Sequence, residues 1–152
     1  MSPKILIVED EVIIAEFIKD ILEENNYNSV IIANDYETAV SEMQNFVPDL
    51  ILMDINLPGE NGIQCVNKLK SINPDYLVLM CTSYEDDEKI FKSLEVGASG
   101  YILKTEGPAK IINALDELFE GGSPMSSSIA RKVVASFSKM ESQNRLTESL
   151  TT

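Results

Sequence analysis

The stretch Asp49–Gly62 reads DLILMDINLPGENG. Its four apolar residues, Leu50 to Met53, have the length of a buried strand; the run stops at an acid, Asp54, and breaks into a loop at Pro58-Gly59. No Lys or Arg stands within the stretch to neutralise that acid. A buried strand that delivers a carboxylate to its own end needs a reason, and the rest of the chain supplies one.

Short apolar runs recur on both sides of this stretch. Strands are predicted at Lys4–Val8, Ser29–Ala33, Asp49–Met53, Tyr76–Cys81 and Gly100–Leu103. Between them Ile14, Phe17, Ile18 and Ile21 fall at helical spacing, as do Ala39, Val40, Met43 and the neighbouring Phe46. Asn34 followed by Glu37 reads as a capping box for the second helix. Ile63, Val66 and Leu69 mark a third helix, and Ile90, Phe91 and Leu94 a fourth. The fifth carries Pro108 in its first turn, a stripe of Ile111, Ile112, Leu115, Leu118 and Phe119, and Gly121-Gly122 as its stop. Strand then helix, repeated along the chain, predicts an α/β protein with a parallel sheet covered on both faces. Right-handed crossovers favour a doubly wound, flavodoxin-like five-stranded sheet in the order 2-1-3-4-5. Strands 1 and 3 are then neighbours at a switch point, where ligands bind at the carboxyl ends of strands. That crevice receives Glu9, Asp10 and Asp54.

Composition removes several classes of chemistry. The 152 residues suffice for one ordinary domain with a sizeable core, and 44% hydrophobic with 24% charged residues describes a soluble globular chain. The net charge of −13 makes these residues poor binders of nucleic acid or anionic membrane. The chain has no histidine, which excludes Ser-His-Asp and Cys-His catalysis and His-ligated zinc. Cys65 and Cys81 match no metal-ligand spacing, and both are expected to pack in the core. The apolar run at Ile5–Val8 is too short for a signal peptide or membrane span, so a cytoplasmic location is expected.

Three carboxylates at adjacent strand ends repel one another unless a cation joins them. Magnesium fits, being held by one or two carboxylates together with water and phosphate oxygens. Thr82 at the end of strand 4 and Lys104 at the end of strand 5 point to the same rim. A phosphoryl group on Asp54 would meet a metal on one side, the ammonium of Lys104 on the other, and the hydroxyl of Thr82. Aspartate is a known nucleophile for phosphoryl transfer, which needs positioning and charge neutralisation more than a general base. Each residue alone is unremarkable, since an Asp at a strand end is usually a cap or a solvated loop residue. Their combination at successive strand ends is what points to chemistry.

The pieces ILIVEDE, LILMDINLPGENG, VLMCTSY and GASGYILK, in this order, resemble the receiver domain of two-component response regulators over residues 4 to 121. The resemblance implies a CheY-like fold with Asp54 as phosphoacceptor and Mg2+ (or Mn2+) held by Glu9, Asp10, Asp54 and the main-chain carbonyl of Asn56. It further implies Thr82 as switch hydroxyl, Lys104 as phosphate-pairing lysine, Tyr101 as switch aromatic, and Pro58 and Gly62 as shapers of the loop after the phosphoacceptor. Ser83 and Tyr84 would modulate the lifetime of the phosphorylated form. Phosphorylation is expected to turn the Tyr101 ring from solvent-facing to inward-facing as Thr82 is drawn to the phosphate, a bias between two existing states that is partial without phosphate. Many receivers follow the lysine with a proline in a cis peptide; here Thr105 stands in its place, which leaves the 104–105 geometry open.

The implied partners are a sensor histidine kinase and, on phosphorylation, a second copy in a homodimer, with no membrane. The domain would catalyse only its own phosphorylation and dephosphorylation, and so is not an enzyme in the ordinary sense. The alternative from the same acids is a magnesium-dependent aspartyl-phosphate phosphohydrolase. Against it, Asp54 is followed by Ile55-Asn56, without the second acid of the haloacid dehalogenase pattern. A flavin-binding module is a third reading, but three successive acids replace the phosphate cradle it needs after strand 1. Residues 1–122 are read as the receiver, 123–140 as a linker helix with Ile129, Val133 and Phe137 on one face beside Val134, and 141–152 as a flexible tail. The segment GGSPMSSSIARKVV resembles the linker of LuxR/NarL-type regulators, in which a helix-turn-helix domain follows. DNA binding and transcriptional output are therefore expected only through such a domain, missing beyond Thr152.

Overall fold

A computed structural model of the chain describes residues 2–151, and the side chains of residues 2–141. Five strands, β1 (Lys4–Val8), β2 (Ser29–Ala33), β3 (Leu50–Met53), β4 (Leu77–Thr82) and β5 (Gly100–Leu103), alternate with helices. These are α1 (Val12–Glu24), α2 (Tyr36–Met43), α3 (Gly62–Ile72), α4 (Asp87–Glu95) and α5 (Pro108–Phe119), with α6 (Ser127–Thr151) after them. All strand pairs are parallel, in the order β2-β1-β3-β4-β5. The doubly wound, flavodoxin-like topology expected from the alternation is therefore the observed one.

Alternate strand residues face opposite sides and build two cores. Leu6, Val8, Ile51, Met53, Val78, Met80, Tyr101 and Leu103 pack beneath residues of α2, α3, α4 and α6. Ile5, Ile7, Leu50, Leu52, Leu79, Cys81 and Ile102 pack beneath α1 and α5. Because both faces are covered, the central strands show no polar alternation, and this is why Leu50 to Met53 are all buried. Both cysteines are free and buried, as expected, and burial pushes each thiol up to about 12. Among the described residues no helix is long and apolar enough to cross a membrane.

The structure moves some boundaries. Strand β3 starts at Leu50, because the Asp49 carboxylate is engaged in accepting the Lys4 backbone N–H at 2.7 Å. Strand β4 runs one residue later than expected and so includes Thr82. Helix α2 is capped by Asp35, not Asn34: Asp35 is extended, and its Oδ1 accepts the Thr38 N–H at 2.8 Å. The capping box belongs instead to α3, where Asn61 and Gln64 exchange bonds with each other's backbone at 2.9 Å. The described peptide bonds are all trans, so Lys104–Thr105 is trans and leads into a single 3-10 turn at Lys104–Glu106.

Helix α6 also departs from expectation. It does not stop near residue 140 but continues to Thr151, where a flexible tail was expected from residue 141. The segment from Glu141 to Thr151 lacks the apolar stripe of a packed helix, yet it has no Gly or Pro and is rich in good helix formers such as Glu, Gln, Arg and Leu. Thr152 lies outside the described residues.

Candidate functional site

The register aligns the strand ends. Val8 pairs with Met53 and Met53 with Met80, so Glu9 and Asp54 leave β1 and β3 at the same level. Their backbones stay in step for one more rung: the Asp54 N–H donates to the Val8 carbonyl at 3.1 Å, and the Glu9 N–H to the Ala33 carbonyl at 3.0 Å. Thr82 pairs with Leu103 on β5, which brings Lys104 to the rim one residue further on. The expected convergence is observed. One carboxylate oxygen each from Glu9, Asp10 and Asp54 lies within 4.8 Å of the others.

Burial makes this crowding costly. Glu9 is only 1% exposed and Asp54 7%. The Asp54 Oδ1 accepts the Ile55 N–H at 2.8 Å, which pins the plane of the carboxylate. Its Oδ2 lies 3.3 Å from the Lys104 ammonium. Lys104 also donates directly to Glu9 Oε1, a pair that sequence reasoning did not foresee. Burial raises the Glu9 carboxyl above its ordinary 4.5; the Lys104 hydrogen bond opposes this and the Asp54 charge adds to it, leaving Glu9 at about 7. Burial works the other way on Lys104, but the Glu9 hydrogen bond and the two acidic charges outweigh it and hold its pKa above the ordinary lysine value.

One lysine cannot neutralise three acids. Asp10 Oδ1 is buried and, among the described residues, has no hydrogen-bond partner. An orphaned carboxylate oxygen beside two further carboxylates is the donor set a hard divalent cation takes, so the residues present fit a magnesium or manganese ion. Asn56, expected to lend its carbonyl, is exposed in the loop two residues past Asp54, and that carbonyl accepts no hydrogen bond among the described residues. Gly62 holds this loop in place. Its N–H donates to the Ile55 carbonyl at 2.8 Å, and a Cβ there would lie 1.9 Å from the Asp54 carbonyl oxygen. No other residue fits that approach of α3 to the strand end.

The other expected positions resolve as follows. Thr82 is fully buried, and its Oγ1 accepts the Tyr84 N–H at a long 3.5 Å. Ser83 is exposed and lines a cleft of about 270 Å³ with Lys104 and Ile14. The Tyr84 ring lies under the Lys89 ammonium, 4.3 Å from its centroid. Tyr101 occupies the inward of its two expected states: its ring is 0% exposed, and its hydroxyl donates to the Tyr84 carbonyl at 2.7 Å. The physical reason is that residues 124–126 pair along the outer edge of β5 and α6 packs over it, so the inward position is the one that fills space.

With this geometry in place, the chain can be set beside known proteins. The response regulator receiver domain family matches residues 5–116. The chain belongs to that family. Among curated relatives of this receiver, the phosphate regulon transcriptional regulatory protein PhoB of Escherichia coli (strain K12) is 39% identical over 127 residues, covering 82% of this chain and 55% of that protein. The transcriptional regulatory protein DegU of Brevibacillus brevis is 30% identical over 142 residues, covering 93% of this chain and 60% of that protein. Among solved structures, a LuxR-family two-component response regulator from an Aurantimonas species superposes with a TM-score of 0.83 at 27% identity, covering 90% of this chain and 98% of that one. The receiver spans about half the length of the curated regulators it matches first.

Proposed function

We propose that this receiver accepts a phosphoryl group on Asp54 from a phosphohistidine of a sensor histidine kinase, and that the modified domain switches a transcriptional output. An oxygen of the Asp54 carboxylate attacks phosphorus, and the P–N bond to the donor imidazole breaks. The imidazole leaves with the bonding electrons and takes up a proton, and Asp54 becomes an acyl phosphate. Glu9, Asp10, Asp54 and the Asn56 carbonyl would hold Mg2+ or Mn2+, which when bound supplies positive charge against the incoming phosphoryl oxygens. Lys104 moves from its carboxylate partners to a phosphoryl oxygen, and the Thr82 hydroxyl donates to another. The domain acts on itself alone and is not a turnover enzyme. A kinase, a second copy after phosphorylation, and DNA through a further domain are its partners.

The observation that carries this reading is the placement of a buried, backbone-pinned Asp54 within reach of both Lys104 and two further carboxylates. A buried acid with a cation on one side and a cluster of acids on the other is arranged for a charge that arrives from outside. Incubation with acetyl phosphate tests it by intact mass. The chain gains a single phosphoryl group in magnesium, and none in EDTA or in Asp54→Asn. Uptake indifferent to EDTA would refute the metal-dependent reading.

A further inference from the structure

The C-terminal segment does more than follow the domain. The Tyr101 N–H donates to the Pro124 carbonyl at 2.9 Å, the Ser126 N–H donates to the Tyr101 carbonyl at 3.2 Å, and Met125 bridges Tyr101 in parallel. The Leu103 N–H donates to Ser126 Oγ at 3.1 Å, and Ser126 is fully buried. Three polar groups on the outer edge of β5 are thus taken by residues 124–126. The approach is so close that a Cβ on Gly100 would sit 2.5 Å from the Pro124 carbonyl oxygen.

Helix α6 then reaches the loop between β4 and α4. Lys132 Nζ donates to the Glu85 carbonyl at 2.7 Å and pairs with Asp87 Oδ1 at 2.9 Å. The neighbouring carbonyl, that of Tyr84, is held by the Tyr101 hydroxyl. One short loop is therefore gripped from inside by the switch aromatic and from outside by the helix. Ile129, fully buried, together with Met125 and Val133, packs in the same core as Tyr101. A ring swung outward would have to displace these residues and release Tyr84, so an outward Tyr101 and a seated α6 exclude each other.

We propose that α6 is a latch on the switch strand: seating residues 124–133 on β5 and the β4–α4 loop holds Tyr101 inward, so that occupancy of Asp54 and docking of α6 reinforce each other. This rests on Asp54 being the phosphoacceptor. Among the described residues the Thr82 hydroxyl oxygen has the distant Tyr84 N–H, at 3.5 Å, as its partner. A phosphoryl oxygen is a charged acceptor and draws the Thr82 hydroxyl toward Asp54. The space beside Thr82 is then kept for the Tyr101 ring, which is the state in which α6 can sit. Coupling of this kind is reciprocal: occupancy at Asp54 strengthens the seating of α6 by the same factor by which a seated α6 strengthens binding at Asp54.

Hydrogen exchange of the amides of residues 127–133 tests the latch in the whole chain, with beryllofluoride and magnesium in place of the phosphoryl group and binding followed by calorimetry. Exchange is expected to slow by about fivefold or more on binding. Lys132→Met, which removes the ammonium but keeps the length, speeds exchange in the free chain and weakens beryllofluoride by no more than the factor through which beryllofluoride slows exchange. Beryllofluoride that binds and leaves the exchange of 127–133 unchanged overturns the latch while the phosphoacceptor role stands. Beryllofluoride that does not bind overturns both.

Discussion

Removing the charge of Glu9 is expected to stabilise the metal-free receiver above neutral pH. Glu9→Gln keeps the shape of the side chain and an oxygen for Lys104, but it removes one of three crowded negative charges. Glu9 is held at about 7 against an ordinary 4.5, first by burial. A carboxyl with a raised folded-state pKa holds its proton more tightly folded than unfolded. Its favourable contribution is therefore full below 4.5 and is lost as pH rises through 7. Each pH unit across that window is worth about 1.4 kcal/mol, so the wild type loses about 3 kcal/mol relative to Glu9→Gln between pH 4.5 and pH 7.5. Lys104 does not blur the comparison, since its raised pKa acts only near and above the ordinary lysine range. Urea unfolding in EDTA at several pH values measures the difference. Parallel pH profiles for the two proteins would show that Glu9 is not strained by its surroundings, and the electrostatic account of the site would fail.

Asp10→Asn should weaken magnesium binding by at least about tenfold, the smaller loss seen when residues that only support a metal ligand are changed. The same variant should gain about 1 kcal/mol of metal-free stability, limited by screening of a partly exposed charge; metal titration and unfolding in EDTA read the two effects. Gly62→Ala forces α3 away from the Asp54 carbonyl and should cost about 1–3 kcal/mol, with slower phosphorylation from acetyl phosphate. Wild-type rates in that variant would mean that the loop after Asp54 tolerates displacement. Tyr101→Phe removes the bond to the Tyr84 carbonyl and should cost about 1 kcal/mol in thermal unfolding; a larger loss would mean that the ring itself had moved.

The parts of the site that were legible in the sequence share one property: they sit at the ends of strands. Leu50 to Met53 announce a strand buried on both faces, and once five such runs are placed in a parallel sheet, Glu9, Asp54, Thr82 and Lys104 must meet at one rim. The residues that were not legible depend on what packs beside the sheet. Asn34 and Asp35 are both good caps, and only the extended backbone at Asp35 decides between them. Pro124 to Ser126 form too short a run to show strand periodicity, so their pairing with Tyr101 left no signal 23 residues away. The continuation of α6 was hidden because its second half has no apolar face to betray it, only the absence of helix breakers.

Asp54, and no other acid at this rim, is expected to become an acyl phosphate. Borohydride cleaves such a group by reduction and leaves homoserine in place of the modified aspartate, so peptide mapping of the phosphorylated and reduced chain reads the site directly. Homoserine is expected at position 54 alone, in magnesium and not in EDTA. Homoserine at position 10, or a phosphorylated chain that yields none, would contradict that assignment.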